Sequence, residues 1–120
     1  MTIRRLKTYT GSQGYVYQYY FVGKRPVTPT KSESAATEYV FDVTSDRKTI
    51  YPVSVFLPPQ VVEAWNQAHG RLLSDAEQYA AAKLRLFYAF DQFENMQEDG
   101  YRLGIESPFL EESMASLGIE

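Results

Sequence analysis

The chain has 120 residues, which suits one domain with a single hydrophobic core. Hydrophobic residues make up 44% and charged residues 22%, so the composition is that of a folded globular protein. The absence of cysteine excludes disulfides, thiolate metal sites and a cysteine nucleophile. No apolar tract approaches the roughly 18 residues of a membrane helix, and no signal-peptide core follows the charged N-terminus. We therefore expect a soluble, cytoplasmic protein with no membrane partner.

Charge is divided unevenly along the chain. Residues 1–57 carry a net charge of +4 and residues 58–120 a net charge of −7, which together give the overall −3. This asymmetry is typical either of a charged partner or of two halves that attract each other. Because both halves must share one core, we favour attraction within the chain.

Two strands are predicted near the N-terminus. Residues 3–9 have apolar side chains three apart, which suits a helical turn equally well. Residues 15–22 have a much clearer strand pattern, because aromatic and β-branched side chains dominate them. Rings at every second position would share one face of this strand: Tyr15, Tyr17, Tyr19 and Phe21.

A flexible loop is predicted at residues 23–36, which contain two prolines and show no hydrophobic periodicity. Three cations make it basic: Lys24, Arg25 and Lys31. Two further strands follow it. Residues 37–44 alternate apolar with polar side chains, which puts Glu38 and Asp42 on the outer face. Residues 49–57 form the other strand, and Pro52 within it indicates a sheet edge or a bulge.

Helices dominate the second half. Pro58-Pro59 begins one helix, which ends at Gly70. Ser74 and Glu77 form a capping box that begins a long helix to about Met96. The order of elements predicts an α+β domain, in which an antiparallel sheet of three or four strands is packed on one face by two helices plus a short C-terminal helix. That last helix begins at Ser107-Pro108, inside an acidic C-terminal segment, residues 98–120.

The tyrosine-rich strand has two interpretations. Alternating rings beside a basic loop are typical of proteins that stack single-stranded bases. The pI of 5.2 and the lack of a dense basic cluster count against this, since a phosphate backbone needs sustained positive charge. We favour the rings as the core face of the sheet. The outer face would then include Val16, Gln18, Tyr20 and Val22, which is unusually apolar for a solvated surface.

Three acids near the end of the long helix have spacings of three and four and would line one helix face: Asp91, Glu94 and Glu98. A basic protein partner or a weak Mg²⁺ or Ca²⁺ site would use such a face. No Asp/Asn/Gly loop pattern accompanies them, so we predict a solvated face without metal. His69, the only histidine, is best explained as a charge near a helix C-terminus.

Neither a phosphate-binding glycine loop nor a nucleophile elbow or metal-ligand spacing is present. We therefore expect no cofactor and no catalytic residues, and a protein that is not an enzyme. No family resemblance can be quoted residue by residue; the segment 51–92 has only the general character of a compact bacterial or phage accessory domain.

Three functions stay open. The leading hypothesis is a small protein-interaction module, which binds another protein or forms a homodimer through its aromatic sheet surface and acidic C-terminal region. One alternative is a single-stranded nucleic-acid binder. Another is a small-molecule binder or enzyme with a cleft near Trp65, His69 and Tyr79. The residues predicted to contact a partner are Tyr15, Tyr17, Tyr19, Tyr20, Lys24, Arg25, Lys31, Asp91, Glu94 and Glu98.

Overall fold

The computed structural model describes residues 6–11, 14–28 and 35–120. Within them the chain forms five strands: β1 (Lys7–Thr10), β2 (Val16–Val27), β3 (Ala36–Thr44), β4 (Tyr51–Leu57) and β5 (Arg102–Gly104). The same residues form four helices: α1 (Pro59–His69), α2 (Asp75–Gln92), α3 (Met96–Asp99) and α4 (Ser107–Ser116). The first predicted strand is therefore found as β1, and residues 3–5 of that prediction lie outside the described residues.

The five strands form one sheet in the order β1-β2-β3-β4-β5. Neighbours from β1 to β4 are antiparallel, whereas β5 is parallel to β4. A parallel neighbour requires a crossover connection, and α1, α2 and α3 lie in that connection. The predicted α+β class is confirmed. The sheet differs from the prediction because it is mixed and has a fifth strand.

β5 was not predicted because its three residues, Arg-Leu-Gly, show no alternation of their own. Two backbone hydrogen bonds at its ends fasten it to β4. The amide of Ser54 donates to the carbonyl of Tyr101 at 2.8 Å, and the amide of Ile105 donates to the carbonyl of Phe56 at 3.0 Å. The strand state of these residues therefore depends on a partner far away in the sequence.

Pro52 lies within β4 although proline cannot donate a hydrogen bond to a sheet. The amide of Ser54 points towards β5, so the nitrogen of Pro52, two residues earlier, faces the same side. β5 pairs only with residues 54–56, and in the described structure no strand requires a donor at Pro52. The predicted edge position is confirmed for this end of β4.

β2 is longer than predicted and continues to Val27. Its register with β3 shifts between Phe21 and Gly23, so Val22 is the extra residue of a β-bulge. After the bulge the ladder resumes, and residues 23–27 of the predicted loop belong to the sheet. Pro26 is tolerated there because β1 pairs only with residues 16–19, which leaves this part of β2 at an edge.

The core lies between one face of the sheet and the helices. Its sheet side includes Tyr17, Tyr19, Tyr39, Phe41, Val43, Val53, Val55 and Leu103, and its helix side includes Trp65, Leu86, Phe90, Leu110 and Met114. The ring of Tyr17 stacks on Phe90, with centroids 4.3 Å apart and planes within 6°. The ring of Tyr19 meets Phe87 edge-on at 5.4 Å. The helices therefore cover the face that carries the alternating tyrosines.

Local signals place most helix ends. Gly70 has a φ of 68° and ends α1, and the Ser74 capping box begins α2, both as predicted. α2 ends at Gln92, earlier than the predicted Met96, because Phe93 is extended. α4 begins one residue earlier than expected and buries Leu110 and Met114 fully, so it docks on its own domain.

We expect Phe90→Ala to lower the free energy of unfolding by about 3–5 kcal/mol, because it removes a fully packed ring and leaves a cavity. Urea denaturation followed by circular dichroism measures this change. Leu72→Ala is the control, since Leu72 is 78% exposed and its loss should change stability by less than about 0.5 kcal/mol. A loss below about 1 kcal/mol for Phe90→Ala would contradict the described core.

A second prediction concerns Glu77, whose carboxylate accepts two hydrogen bonds from Arg71 at 3.0 and 2.8 Å. These bonds, with one from the Ser74 amide, lower the pKa of Glu77 from 4.5 to about 2. A lowered pKa stabilises the fold only while the group is ionised, so this contribution is complete above pH 4.5 and is lost as the pH falls towards 2.

Glu77→Gln should therefore be less stable than the wild type near neutral pH, and the difference should shrink as the solution is acidified. Urea unfolding curves at a series of pH values measure it. Glu94→Gln, which changes an exposed acid, is the matched control. A difference that stays constant down to about pH 3 would argue against the ion pair.

Candidate interaction surface

The side of the sheet turned away from the helices forms a continuous surface, which we call the open face. The described helices all contribute their buried residues to the core on the other side. Strand alternation assigns these side chains to the open face: Val16, Gln18, Tyr20, Val22, Arg25, Glu38, Val40, Asp42, Pro52, Ser54, Phe56 and Arg102.

Apolar side chains on the open face remain in contact with solvent. Val16 and Val22 are each 47% exposed, and Val40 and Phe56 are partly buried. Val22 and Val40 lie near each other at the bulge. Together with Arg25 they line a shallow concavity of about 350 Å³. The open face therefore has both exposed apolar side chains and a shallow concavity.

A row of polar groups crosses the open face from β2 to β5. Arg25 donates through Nε to Oε1 of Glu38 at 2.7 Å, and the hydroxyl of Ser54 donates to Oε2 at 2.7 Å. Arg102, which pairs with Ser54 across the strands, lies 4.8 Å above the ring of Phe56. Both carboxylate oxygens of Glu38 thus have partners within the sheet, and Glu38 is only 8% exposed.

The electrostatics of Glu38 follow from this row. Burial alone would raise its pKa. The hydrogen bonds from Ser54 and Arg25, with the positive charges of Arg25 and Arg102, outweigh burial and hold the pKa below its usual range. Glu38 is therefore an ionised, fully bonded carboxylate in the centre of the open face.

The second acid of the open face is satisfied in the same way. The hydroxyl of Tyr20 donates to Oδ2 of Asp42 at 2.6 Å, and the two residues are direct cross-strand partners. With Arg25, Arg102, Glu38 and Asp42, the open face has two positive and two negative charges and no net charge.

The predicted contact tyrosines separate into two groups. Tyr17 and Tyr19 are each 4% exposed, and burial raises the pKa of both. These two rings belong to the core and do not reach a partner. Tyr15 is 55% exposed just before β2, and Tyr20 lies on the open face. The structure therefore brings Tyr20 together with Arg25 on one surface.

The remaining basic residues lie elsewhere. Lys24 follows the bulge on the helix side, where Nζ lies 3.8 Å from a carboxylate oxygen of Asp75 and 5.9 Å from the ring centroid of Tyr39. Lys31 lies outside the described residues. Both described cations of the predicted basic loop, Lys24 and Arg25, are thus paired with acids.

The three predicted acids do not share a helix face, which corrects the sequence interpretation. Asp91 is in α2, but that helix ends before Glu94, and Glu98 is in α3. Asp91 accepts a hydrogen bond from the hydroxyl of Tyr9 at 2.7 Å. It also lies against Gly11, where a Cβ would approach its Oδ1 to 2.8 Å. Asp91 therefore connects α2 to β1 and to Gly11 just after it.

The cleft predicted near Trp65, His69 and Tyr79 is not formed by these three residues. The ring of His69 stacks on Trp65 at 4.1 Å, and its Nε2 lies 2.8 Å from a carboxylate oxygen of Glu111. The ring of Tyr79 packs against Phe21 at 4.9 Å. His69 and Trp65 thus contact each other, whereas Tyr79 contacts β2.

Glu38 and Asp42 lie on one face of an alternating strand, and this position served only to predict which face of that strand is exposed. Opposite charges directly across two strands stabilise a sheet, and Arg25 lies opposite Glu38 once β2 is extended to Val27. No such pairing could be predicted for Ser54 and Arg102, because β5 itself was not predicted.

Comparison of the chain with protein-family models, with curated proteins and with solved structures finds no significant match. Among the described residues, no helix is both long and apolar enough to cross a bilayer. The same residues contain no group of three or more His, Cys, Asp or Glu side chains placed to hold a metal ion.

The contact between Tyr9 and Asp91 gives a prediction at alkaline pH. The hydrogen bond to Asp91, burial and the negative charge of Asp91 raise the pKa of Tyr9 from 10.0 to about 12. A raised pKa stabilises the fold while the phenol is protonated. The contribution is therefore complete below pH 10 and is lost as the pH rises through about 12.

Tyr9→Phe should be less stable than the wild type at mildly alkaline pH, and the difference should narrow towards pH 12. Urea unfolding at several pH values measures the difference, and Tyr15→Phe controls for removal of a phenol hydroxyl from an exposed ring. A difference that does not change above pH 10 would contradict the Tyr9–Asp91 bond as the cause.

Proposed function

We propose that the protein is a protein-interaction module that self-associates through its open face. The observation that carries this proposal is the combination of exposed apolar side chains with acidic groups that already have partners inside the sheet. Contiguous apolar surface is typical of interaction sites. Its polar groups normally oppose burial, because they lose water when a partner covers them.

On the open face this cost is reduced for the two acids. Glu38 bonds to Arg25 and Ser54, and Asp42 bonds to Tyr20, so covering them leaves no carboxylate without a partner. Truncating one member of a buried charge pair is costly, whereas a complete pair can be covered with a much smaller loss. A partner can therefore cover Glu38 and Asp42 while both carboxylates keep their hydrogen bonds.

A second copy is the partner that these charges favour. In a two-fold symmetric contact, residues near the axis meet their own copies, so an unpaired charge would face a like charge. The open face has no net charge, and each of its acids is neutralised or bonded by a neighbour. A typical interface needs about 800 Å² from each partner, which is about a tenth of the 7692 Å² accessible surface.

The nucleic-acid alternative has less support. Tyr17 and Tyr19 lie in the core and cannot stack on bases. Lys24 and Arg25 each have an acidic partner, so binding a phosphate would first require breaking an ion pair. No observation on the described residues favours this function over self-association.

Sedimentation velocity over roughly 1 to 500 µM protein tests the proposal, and we expect a reversible dimer. Val22→Lys should raise the dimer dissociation constant at least about tenfold, because it puts a charge into the interface while the monomer keeps the side chain in solvent. Leu72→Lys is the matched control: it makes the same change at an apolar residue between α1 and α2, which is 78% exposed.

Three outcomes would overturn the proposal. The wild type could stay monomeric throughout the concentration range, Val22→Lys could leave the dimer unchanged, or Leu72→Lys could dissociate it equally well. Fluorescence anisotropy with a single-stranded oligonucleotide completes the test. Binding that falls with added salt and with Lys24→Ala would support the nucleic-acid alternative instead.

A further inference from the structure

A cleft of about 610 Å³ lies on the helical side of the domain, away from the open face. Small-molecule sites usually have roughly 300–1,000 Å³. One wall is the face of α2 with Arg85 and Tyr88. The other is formed by Glu106, the N-cap residue of α4, and by Phe109 and Glu112 within that helix, at a spacing of three residues. The two walls thus differ in charge.

The side chain of Arg85 extends from α2 towards α4. Its guanidinium carbon is 5.5 Å from the ring centroid of Tyr88 and 5.8 Å from that of Phe109. Nε donates to the carbonyl of Gly104 at 2.9 Å, which fixes the orientation of the group. The side chain is thus held by two rings and one backbone oxygen.

Most donors of Arg85 remain uncommitted. A guanidinium has five N–H donors, yet among the described residues only Nε has a partner, the carbonyl of Gly104, and Nη1 is buried without one. Within the described chain Arg85 forms no ion pair, although two carboxylates line the same cleft. Burial also lowers the pKa of Arg85, because the charged guanidinium loses water there.

The two glutamates decide which ligand suits the cleft. Arg85, Glu106 and Glu112 give the lining a formal charge of −1, which repels multiply charged anions such as phosphate. A simple carboxylate would bind Arg85 but would also face two like charges. A ligand that carries a carboxylate and a cationic group can satisfy both walls at once.

We propose that this cleft binds a small zwitterionic ligand of the amino-acid class. Its carboxylate binds the guanidinium of Arg85, its ammonium group binds the carboxylates of Glu106 and Glu112, and its apolar side chain lies against the exposed ring of Tyr88. The space between Arg85 and the glutamates, which form no direct ion pair, is the place for the two charged groups of the ligand. This site is independent of the open face.

Two-dimensional NMR and calorimetric titrations of the full chain test the proposal with three probes, each of which carries a phenyl ring. L-phenylalanine has both charges, 3-phenylpropionate only the carboxylate, and 2-phenylethylamine only the ammonium group. We expect L-phenylalanine to bind saturably, with shifts of the Gly104 and Phe109 amide signals, and each single-charge probe to bind at least about tenfold more weakly. L-leucine tests whether another apolar side chain is accepted.

The idea fails if neither amino acid binds up to about 10 mM. It also fails if all three ring probes bind equally, since the ring alone would then be recognised. A third contrary result is tightest binding by the amine, because the carboxylate contact with Arg85 would then contribute nothing.

Variants separate the two walls. Arg85→Gln should weaken L-phenylalanine at least about tenfold. Glu112→Gln should weaken L-phenylalanine but strengthen 3-phenylpropionate, since it removes a repelling charge. Opposite changes in affinity for the two probes are not expected of a merely structural residue. Because Glu112 is exposed, Glu112→Gln should fold even if Arg85→Gln does not. Glu94→Gln is the matched control. If Glu112→Gln leaves the preference among the probes unchanged, the α4 carboxylates are not part of a site.

Discussion

The contact between the aromatic side chains of the first two strands and helix α2 is the interaction on which the rest of the structure depends. Tyr17 stacks on Phe90 at 4.3 Å, and Tyr9 stacks on Phe87 at 4.6 Å. Such ring pairs contribute about 0.5–1.5 kcal/mol each beyond the area they bury. They hold α2 across β1 and β2, and by covering one side of the sheet they make the other side the open face.

The open face and the cleft between α2 and α4 differ in whether their charged groups have partners. On the open face each acid has a partner, and Glu38 has both Arg25 and Ser54. In the cleft between α2 and α4, Arg85 has two carboxylates nearby and pairs with neither. A surface whose acids already have partners suits a contact between large, flat partners. A cation whose donors remain uncommitted suits a small ligand that supplies the missing groups.

Local sequence signals predicted the elements that depend on local chemistry. The Ser74 capping box and the alternation of Tyr17 and Tyr19 need only neighbours a few residues away. β5 could not be predicted in this way, because its three residues become a strand only by pairing with Ser54 and its neighbours in β4. The cleft around Arg85 depends on the meeting of two helices, and on its own the residue looks like any surface arginine of an amphipathic helix.

Pro52 has a consequence for the behaviour of the protein at high concentration. An unpaired strand edge is a template on which another chain can add a strand and begin an aggregate. β5 covers only residues 54–56 of β4, so the start of β4 is such an edge in the described structure. The nitrogen of Pro52 faces that edge and cannot donate, so an incoming strand would find no donor there. Pro52 thus hinders strand addition at the part of β4 that β5 does not cover.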